Sequence, residues 1–179
     1  MANGSGAGIY VNLAAPYPED PMGMTGPAGA CAANDLPCQF YNHSANNMLY
    51  ALDLARQAGA DAPMWWLDVE QLNHWDRATD LNALVVRAAA ETLQKAGVRV
   101  GVYSTYLQWR RITGDAMFGL PIWVAGAPTD ADAPAYCDNR KAFNGGQTWL
   151  VQSLPIRFDN NWACDPVVAD PDAVFAFRA

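Results

Sequence analysis

The sequence predicts an α/β fold in which helices cover a mostly parallel sheet. Segments of strand length alternate along the chain with segments that have helical spacing. The strand segments are apolar on both faces, which is typical of buried parallel strands. The 179 residues hold five or six such strands, too few for a closed eight-stranded barrel. We expect one domain over residues 1–179, because no linker or internal repeat interrupts the pattern.

The first part of the chain holds one strand, one long loop and one helix in this prediction. The run "GIYVNLAAP" (8–16) is apolar and ends at a proline, which indicates a buried strand. Residues 17–42 are rich in Pro, Gly, Asn and Asp, so we expect a long loop of the functional or cross-linked kind. Helical spacing then predicts a helix over 44–59, with Ser44 as its N-cap and Gly59 at its end.

The middle of the chain holds the most apolar strand and the clearest helix. The apolar run "PMWWLDVE" (63–70) has the length of a strand and is flanked by Pro63. A helix is expected over 79–97, because its apolar residues recur every three or four positions along one stripe. Thr79 or Asp80 is the expected N-cap of this helix, and Gly97 is its expected end.

The remaining pattern predicts three more strands and a short helix. A strand is expected over 98–104 and a short helix over 105–114. Further strands are expected over 120–128 and over 148–153, the second after the turn "NGG". The tail that follows residue 153 has no clear pattern.

Composition and charge exclude two classes of partner. The net charge is −7, and the eleven basic residues form no stripe, which argues against nucleic acid. No run approaches the roughly 18 apolar residues that a membrane span needs. Seven Trp and seven Tyr are many for this length, and flat aromatic faces serve either to fill a core or to bind sugars.

The four cysteines favour two disulfides and an oxidising compartment. Cys31, Cys38, Cys137 and Cys164 show neither C-x-x-C nor zinc-ligand spacing. Their even number suggests the pairs Cys31–Cys38 and Cys137–Cys164, although three pairings are possible. We therefore expect a secreted protein. The opening "MANGSGAGIY" lacks the charged and apolar parts of a signal peptide, so an incomplete or edited N-terminus is expected.

Two carboxylates follow the most apolar strand and are the sharpest functional signal. In parallel α/β folds the site lies at the carboxyl ends of the strands. Asp68 and Glu70 are two residues apart on an extended segment, so both face one way with about 6.6 Å between their Cα atoms. Such a pair divides into one proton donor and one anion, as glycosidic cleavage requires. In the alternative, Asp68 caps a loop and Glu70 is a solvated strand end.

Other possible sites have weaker support in the sequence. His74 lies in a polar loop and is more simply a surface histidine than an acid or base. Ser104 is not in a G-x-S-x-G motif, and no glycine-rich phosphate loop lies between a strand and a helix. The acidic run over 158–165 lacks the spacing of a calcium loop. We expect no cofactor and no metal.

Five motifs, in order, resemble one known family. "WWLDVE", "VGVYST", "LPIWVAGAP", "LVQ" and "DNNWACD" are similar to the glycoside hydrolase family 25 lysozymes (Chalaropsis-type muramidases), and more closely to a secreted actinobacterial branch. The resemblance covers about residues 8–166. It implies an irregular or incomplete (β/α) barrel of the TIM type. It also implies cleavage of the β-1,4 bond between N-acetylmuramic acid and N-acetylglucosamine in peptidoglycan.

The resemblance also implies roles for single residues. Glu70 would be the general acid, and Asp68 would stabilise the positive charge of the transition state or an oxazolinium-like intermediate. Asp165 is the nearest match to a family aspartate in the last strand region, with Asp159 second. The residues expected to line the sugar groove are Tyr103, Trp123, Trp66, Asn12 and Gln152.

The chain departs from the family pattern at its start. The family opens with a strand that ends in D-x-S and then a second strand, whereas "GIYVNLAAP" resembles the third. A fragment of a longer secreted enzyme, a domain completed by another chain and an inactive relative are the three explanations. The leading hypothesis is a lysozyme-like hydrolase of peptidoglycan or a related amino-sugar glycan. The alternatives are a non-catalytic carbohydrate-binding relative and a structural surface protein, and the oligomeric state is left open.

Overall fold

A computed structural model describes residues 6–18, 20–154, 159–174 and 176–177. The first five residues, on which part of the signal-peptide expectation rests, lie outside this range. In chain order the strands and α-helices are β1 (Gly6–Ala7), β2 (Ile9–Asn12), β3 (Thr25–Gly26), β4 (Gly29–Ala30), α1 (Leu36–Gln57), β5 (Met64–Asp68), α2 (Thr79–Lys95), β6 (Arg99–Ser104), α3 (Tyr106–Thr113), β7 (Ile122–Ala127), β8 (Thr148–Ser153), β9 (Asn160–Ala163), α4 (Asp165–Ala169) and β10 (Ala176–Phe177).

A six-stranded sheet forms the centre of the fold and confirms the predicted α/β class. Its strand order is β2-β5-β6-β7-β8-β9. The first five strands are parallel, and β9 returns antiparallel beside β8. Within the described residues the sheet stays open, with β2 at one edge and β9 at the other. The result is an irregular β/α barrel-like arrangement whose parallel strands all end at one edge.

The start of α1 corrects the sequence prediction. The helix begins at Leu36, with the Asp35 side chain accepting a hydrogen bond from the Cys38 amide at 3.1 Å, rather than at Ser44. Pro37 fits in the first turn, where its missing N–H costs nothing. Ser44 instead lies inside the helix, buried, and its hydroxyl donates to the Val85 carbonyl at 2.7 Å. The expected loop over 17–42 is therefore shorter and contains a small β3–β4 ribbon.

The start of α2 also differs from the prediction. Its N-cap is Ala78, which has no side chain that can cap, so neither Thr79 nor Asp80 takes that role. The Asp76 carboxylate accepts a hydrogen bond from the Ala78 amide at 2.7 Å. The Asn82 side chain accepts from the Asp76 amide at 3.0 Å. This short loop network replaces a conventional cap and fixes the chain between β5 and α2.

Both predicted disulfides are present. Cys31–Cys38 joins the loop before α1 to its first turns, with 5.6 Å between the Cα atoms. Cys137–Cys164 joins the segment after β7 to the residue that precedes α4, with 5.5 Å between the Cα atoms. Cross-links of this kind are typical of proteins outside the reducing cytosol. No helix in the described ranges is long and apolar enough to cross a membrane.

The two faces of the sheet are covered differently. On one face α1, α2 and α3 bury a large apolar core, which includes Leu67, Val85 and Trp109. On the other face the C-terminal segment packs Val167 and Val174 against Trp66 of β5 and neighbouring side chains. Beyond that contact β10 pairs with β1, just before β2. The C-terminal segment thus runs from the β9 edge of the sheet to the β2 edge and covers part of the inner face.

Candidate active site

A cleft opens on the inner face, where the parallel strands end. Its volume is about 310 Å³. The residues that line it are Tyr10, Asp68, Glu70, Tyr103, Trp123, Gln152 and Asp159. Three of the seven are carboxylic acids, three are aromatic and none is basic. The cleft is therefore an acidic site with aromatic walls.

The backbone around Asp68 is held by hydrogen bonds from both neighbouring strands. The Asp68 carbonyl accepts from the Leu13 amide at 3.0 Å, and the Val69 amide donates to the Tyr103 carbonyl at 3.0 Å. The buried Ser104 hydroxyl donates to the Val69 carbonyl at 2.7 Å. Because hydrogen bonds hold the backbone groups of Asp68 and Val69 in place, the direction in which the Asp68 side chain leaves the strand is fixed.

The backbone around Glu70 is held by the loop that follows it. The Glu70 carbonyl accepts from the Trp75 indole N–H at 2.8 Å and from the Asn73 amide at 3.2 Å. The next amide, that of Gln71, donates to the Gln108 side chain at 2.6 Å. Glu70 itself is half-buried. The side chains of Asp68 and Glu70 thus extend from backbone that hydrogen bonds hold in position, as catalytic groups need.

Asp68 carries the clearest electrostatic signature in the cleft. Burial, and secondly the negative charge of Glu70, raise the pKa of Asp68 from 3.8 to about 7. Its exposed fraction is only 6%. No group in the described part of the chain donates a hydrogen bond to Asp68 Oδ1. A buried carboxylate oxygen without a donor is unusual in folded proteins, so this oxygen is available to an N–H or O–H group of a bound ligand.

An aromatic wall lies beside the two acids. The ring of Trp123 is nearly perpendicular to that of Tyr103, with 5.0 Å between centroids, and to that of Trp66, at 5.7 Å. The Trp123 indole N–H donates to the Asn161 side chain at 3.0 Å. These contacts hold the Trp123 ring in one orientation. A half-buried, fixed indole is suited to stacking against a sugar ring.

A polar chain of hydrogen bonds runs from Tyr103, which is part of this wall, to Asp159. The Tyr103 hydroxyl donates to Gln152 Oε1 at 2.7 Å, and Gln152 Nε2 donates to Asp159 Oδ2 at 3.5 Å. Burial and the neighbouring carboxylates raise the pKa of Tyr103 above its usual value. The phenol therefore stays protonated and keeps the orientation of the Gln152 amide fixed.

Six of the residues named from the sequence meet in this cleft, Asp159 among them, and three do not line it. Trp66 lies next to it, in an apolar pocket of about 110 Å³ that shares Tyr10 and Trp123 with the cleft. Asn12 is exposed at the end of β2 and borders a groove beside α1. Asp165 is exposed at the start of α4.

Asp159 occupies the cleft because of the direction of β9. β8 runs towards the cleft, and β9 runs away from it. The residue just before β9 therefore lies at the cleft, whereas Asp165 follows β9 at its far end. Tyr10, which sequence reasoning did not select, enters because β2 is an edge strand and leaves this side chain 63% exposed.

No group of three or more His, Cys, Asp or Glu side chains in the described ranges is arranged to hold a metal ion. The three cleft acids also face an amide and aromatic rings rather than a histidine or cysteine. The chemistry that this arrangement offers is proton transfer and stabilisation of positive charge.

A family model and two individual relatives that resemble this chain carry lysozyme names. A sequence model of the family described as Lysozyme-like protein 1 matches residues 36–151, more than half of the chain. "Probable GH family 25 lysozyme 3" of Dictyostelium discoideum is 34% identical over 107 residues, 54% of this chain and 22% of that protein. "Probable GH family 25 lysozyme 2" of the same organism is 27% identical over 138 residues, 70% of this chain and 61% of that protein.

A third relative is named as a counting factor and not as a lysozyme. "Counting factor 45-1" of Dictyostelium discoideum is 36% identical over 92 residues, 50% of this chain and 30% of that protein. The chain thus spans less than two thirds of the length of each of these three relatives. No solved structure matches the chain significantly.

Proposed function

Because this chain belongs to the family described as Lysozyme-like protein 1, we propose that it is a glycoside hydrolase that cleaves the β-1,4 bond between N-acetylmuramic acid and N-acetylglucosamine in peptidoglycan. One observation carries the proposal. Asp68 and Glu70 line one cleft, and the pKa of Asp68 is raised to about 7. A carboxyl group that still holds a proton near neutral pH, beside a second carboxyl group, meets the basic requirement of glycosidic cleavage.

In the proposed complex, Asp68 recognises the 2-acetamido group of the sugar. Its buried Oδ1 accepts the acetamido N–H, which supplies the hydrogen bond that the described residues do not. A hydrogen bond to the anion favours the charged form of a carboxyl group. Asp68 then gives up its proton, and Glu70, the neighbouring carboxylate of the cleft, receives it. Substrate binding thus converts Glu70 into the general acid.

The bond-breaking step follows from these positions. Glu70 protonates the glycosidic oxygen as the C1–O bond breaks, and the acetamido carbonyl oxygen forms a bond to C1. The resulting oxazolinium-like cation is stabilised by the Asp68 anion. Water then attacks C1 and gives its proton to Glu70, while the acetamido group is released. No cofactor takes part.

Asp159 and the aromatic wall take supporting roles in this proposal. Asp159, rather than Asp165, adds a third negative charge to the cleft where positive charge develops at C1. Trp123 stacks against a sugar ring, and the Tyr103–Gln152 pair offers polar groups to its hydroxyls. The apolar pocket beside Trp66 accommodates the acetamido methyl group.

A hydrolysis assay tests the proposal. Native protein is incubated with peptide-free peptidoglycan strands, and new reducing ends are counted. We expect N-acetylmuramic acid at the new ends. The rate should fall about tenfold per unit as the pH rises above about 7, because the Asp68 carboxyl group then loses the proton that the reaction uses. Absence of cleavage across pH 4–8 in a folded sample would contradict the proposal.

A second candidate function is carbohydrate binding without catalysis. The cleft is bordered by the edge strand β2, with Tyr10 63% exposed, so its wall is open on that side. A relative that is named as a counting factor rather than as a lysozyme also fits this alternative. It predicts that amino-sugar oligomers bind, measured by calorimetry, while the assay above yields no product.

We also propose that the domain works outside the cytoplasm. Two disulfides support this location. Residues 1–179 are proposed to act as one domain. Its expected target is a cell-wall glycan and not a nucleic acid, because no basic surface stripe accompanies a net charge of −7.

A further inference from the structure

Glu70 lies beyond the end of its strand, so its backbone needs a support other than the sheet. β5 ends at Asp68, and Glu70 lies two residues later, in the β5–α2 loop (69–78). Peptide groups inside a sheet are oriented by the hydrogen bonds of the strand ladder, and those in a loop are not. The direction in which the Glu70 side chain points therefore depends on what holds the loop.

The peptide group between Glu70 and Gln71 is held at both ends by side chains. Its carbonyl oxygen accepts a hydrogen bond from the Trp75 indole N–H at 2.8 Å. Its N–H donates to Gln108 Oε1 at 2.6 Å. Because a peptide group is planar, holding both its carbonyl and its N–H fixes its orientation. The backbone torsion that joins this peptide group to the Cα atom of Glu70 is then fixed as well.

The two supporting side chains belong to different elements. Trp75 lies in the same loop as Glu70. Gln108 lies in the first turn of α3, where its own amide donates to the Thr105 hydroxyl oxygen at 3.1 Å. The next residue, Trp109, is fully buried and anchors the helix in the core. Gln108 thus ties the peptide group that follows Glu70 to a rigid neighbour of the loop.

Packing alone does not determine the position of the loop. A cavity of about 220 Å³ lies between the loop and α3, and its walls include Gln71, Asn73, Trp75 and Arg111. Arg111 Nη1 donates to Gln71 Oε1 at 3.4 Å, and both of these residues are exposed. The short hydrogen bond to Gln108 is therefore the firmer of the two polar contacts that join Gln71 to α3.

We propose that Gln108 is a positioning residue that keeps the Glu70 carboxyl group in the cleft beside Asp68. The inference rests on the proposed function, in which Glu70 receives a proton from Asp68 and passes it to the glycosidic oxygen. Both transfers need hydrogen-bond distances, and a misplacement of about 1 Å can cost about 100-fold in rate. Gln108 does not line the cleft itself. Its loss should therefore lower kcat and leave KM nearly unchanged.

The first test is the replacement of Gln108 by methionine, which removes the acceptor oxygen but keeps the length of the side chain and a good helix former. We expect kcat on peptide-free peptidoglycan strands to fall about tenfold, with KM within about twofold of the native value. Gln108→Glu keeps an oxygen that can accept the Gln71 N–H, so it should retain most of the native kcat. Gln94→Met, the matched control at an exposed glutamine of α2, should alter neither constant.

A second measurement does not depend on catalysis. The negative charge of Glu70 helps to raise the pKa of Asp68. If Gln108 holds this charge in place, Gln108→Met should lower the midpoint of the Asp68 titration, followed by ¹³C NMR of its carboxyl carbon. Gln94→Met should leave the midpoint at the native value. Circular dichroism checks folding, and Gln108→Ala replaces Gln108→Met if that variant does not fold.

The outcomes separate this inference from the proposed function. If native protein cleaves the glycan and Gln108→Met keeps the native kcat, Gln108 does not position Glu70, while the hydrolase proposal stands. An equal loss of kcat in Gln108→Glu and Gln108→Met would also overturn the inference, because the acceptor oxygen would then make no difference. If native protein cleaves nothing, the hydrolase proposal fails, and the inference fails with it unless the Asp68 midpoint falls in Gln108→Met.

Discussion

Replacing Glu70 with glutamine should lower the rate of glycan cleavage by about 10²–10⁴-fold, the contribution typical of a general acid. The amide has the same shape but cannot transfer a proton to the glycosidic oxygen. The Glu70 side chain is only half-buried, and the hydrogen bond that ties Glu70 to its loop uses the backbone carbonyl, which the substitution keeps. The variant should therefore still fold. The measurement is the initial rate of reducing-end formation on peptide-free peptidoglycan strands, with circular dichroism as the check of folding.

The matched control is Glu91→Gln. This glutamate lies on α2, away from the cleft, and accepts a hydrogen bond from the Tyr41 hydroxyl at 2.8 Å, which an amide oxygen can also accept. Its rate should equal that of the native protein. If Glu70→Gln cleaves as fast as native protein, Glu70 is not the acid, and the assignment of the pair is wrong.

Adding one methyl group at Gly101 should destabilise the protein by about 1–3 kcal/mol or more, the usual range for overpacking a core. A Cβ atom there would lie 2.3 Å from Trp66 Cζ3 and 2.6 Å from Met64 Cε. Both side chains are buried, and Trp66 contacts the cleft residue Trp123. Gly101→Ala should therefore lower the free energy of unfolding in urea and also displace the aromatic wall.

A second substitution separates the cause from a general effect of removing glycine. Trp66→Leu frees space at the clash, so the double variant should regain part of the stability that Gly101→Ala loses. Gly8→Ala is the matched control, since a Cβ atom there meets nothing within 4 Å. An unfolding free energy of Gly101→Ala equal to the native value would show that Trp66 does not rest on Gly101.

Much of the fold could be predicted from the sequence, because local signals and tertiary packing agree. The strands β5 to β8 are apolar on both faces, and glycines with positive φ end the helices before β5 and β6. The start of α1 could not be predicted in this way. Its first two turns carry the polar and cysteine residues of an apparent loop, and only the Asp35 cap with Pro37 behind it marks the true beginning.

The candidate site was partly predictable for the same reason. Parallel strands end at one edge, so the residues at the ends of β5, β6 and β8 had to lie together. Asp159 could not be ranked above Asp165, since that choice depends on β9 running antiparallel to β8. Nor could the sequence show which of the two carboxyl groups holds a proton near neutral pH. The answer depends on the deeper burial of Asp68, which the two-residue spacing does not reveal.

The central claim is that Asp68 and Glu70 share one cleft and that the Asp68 carboxyl group holds a proton near neutral pH. The most direct test is a pH titration of the Asp68 carboxyl carbon, followed by ¹³C NMR in native protein and in Glu70→Gln. The account predicts a midpoint of about 7 in native protein, and a lower midpoint, still above 3.8, when the Glu70 charge is removed. A native midpoint close to 3.8, unchanged by Glu70→Gln, would contradict it.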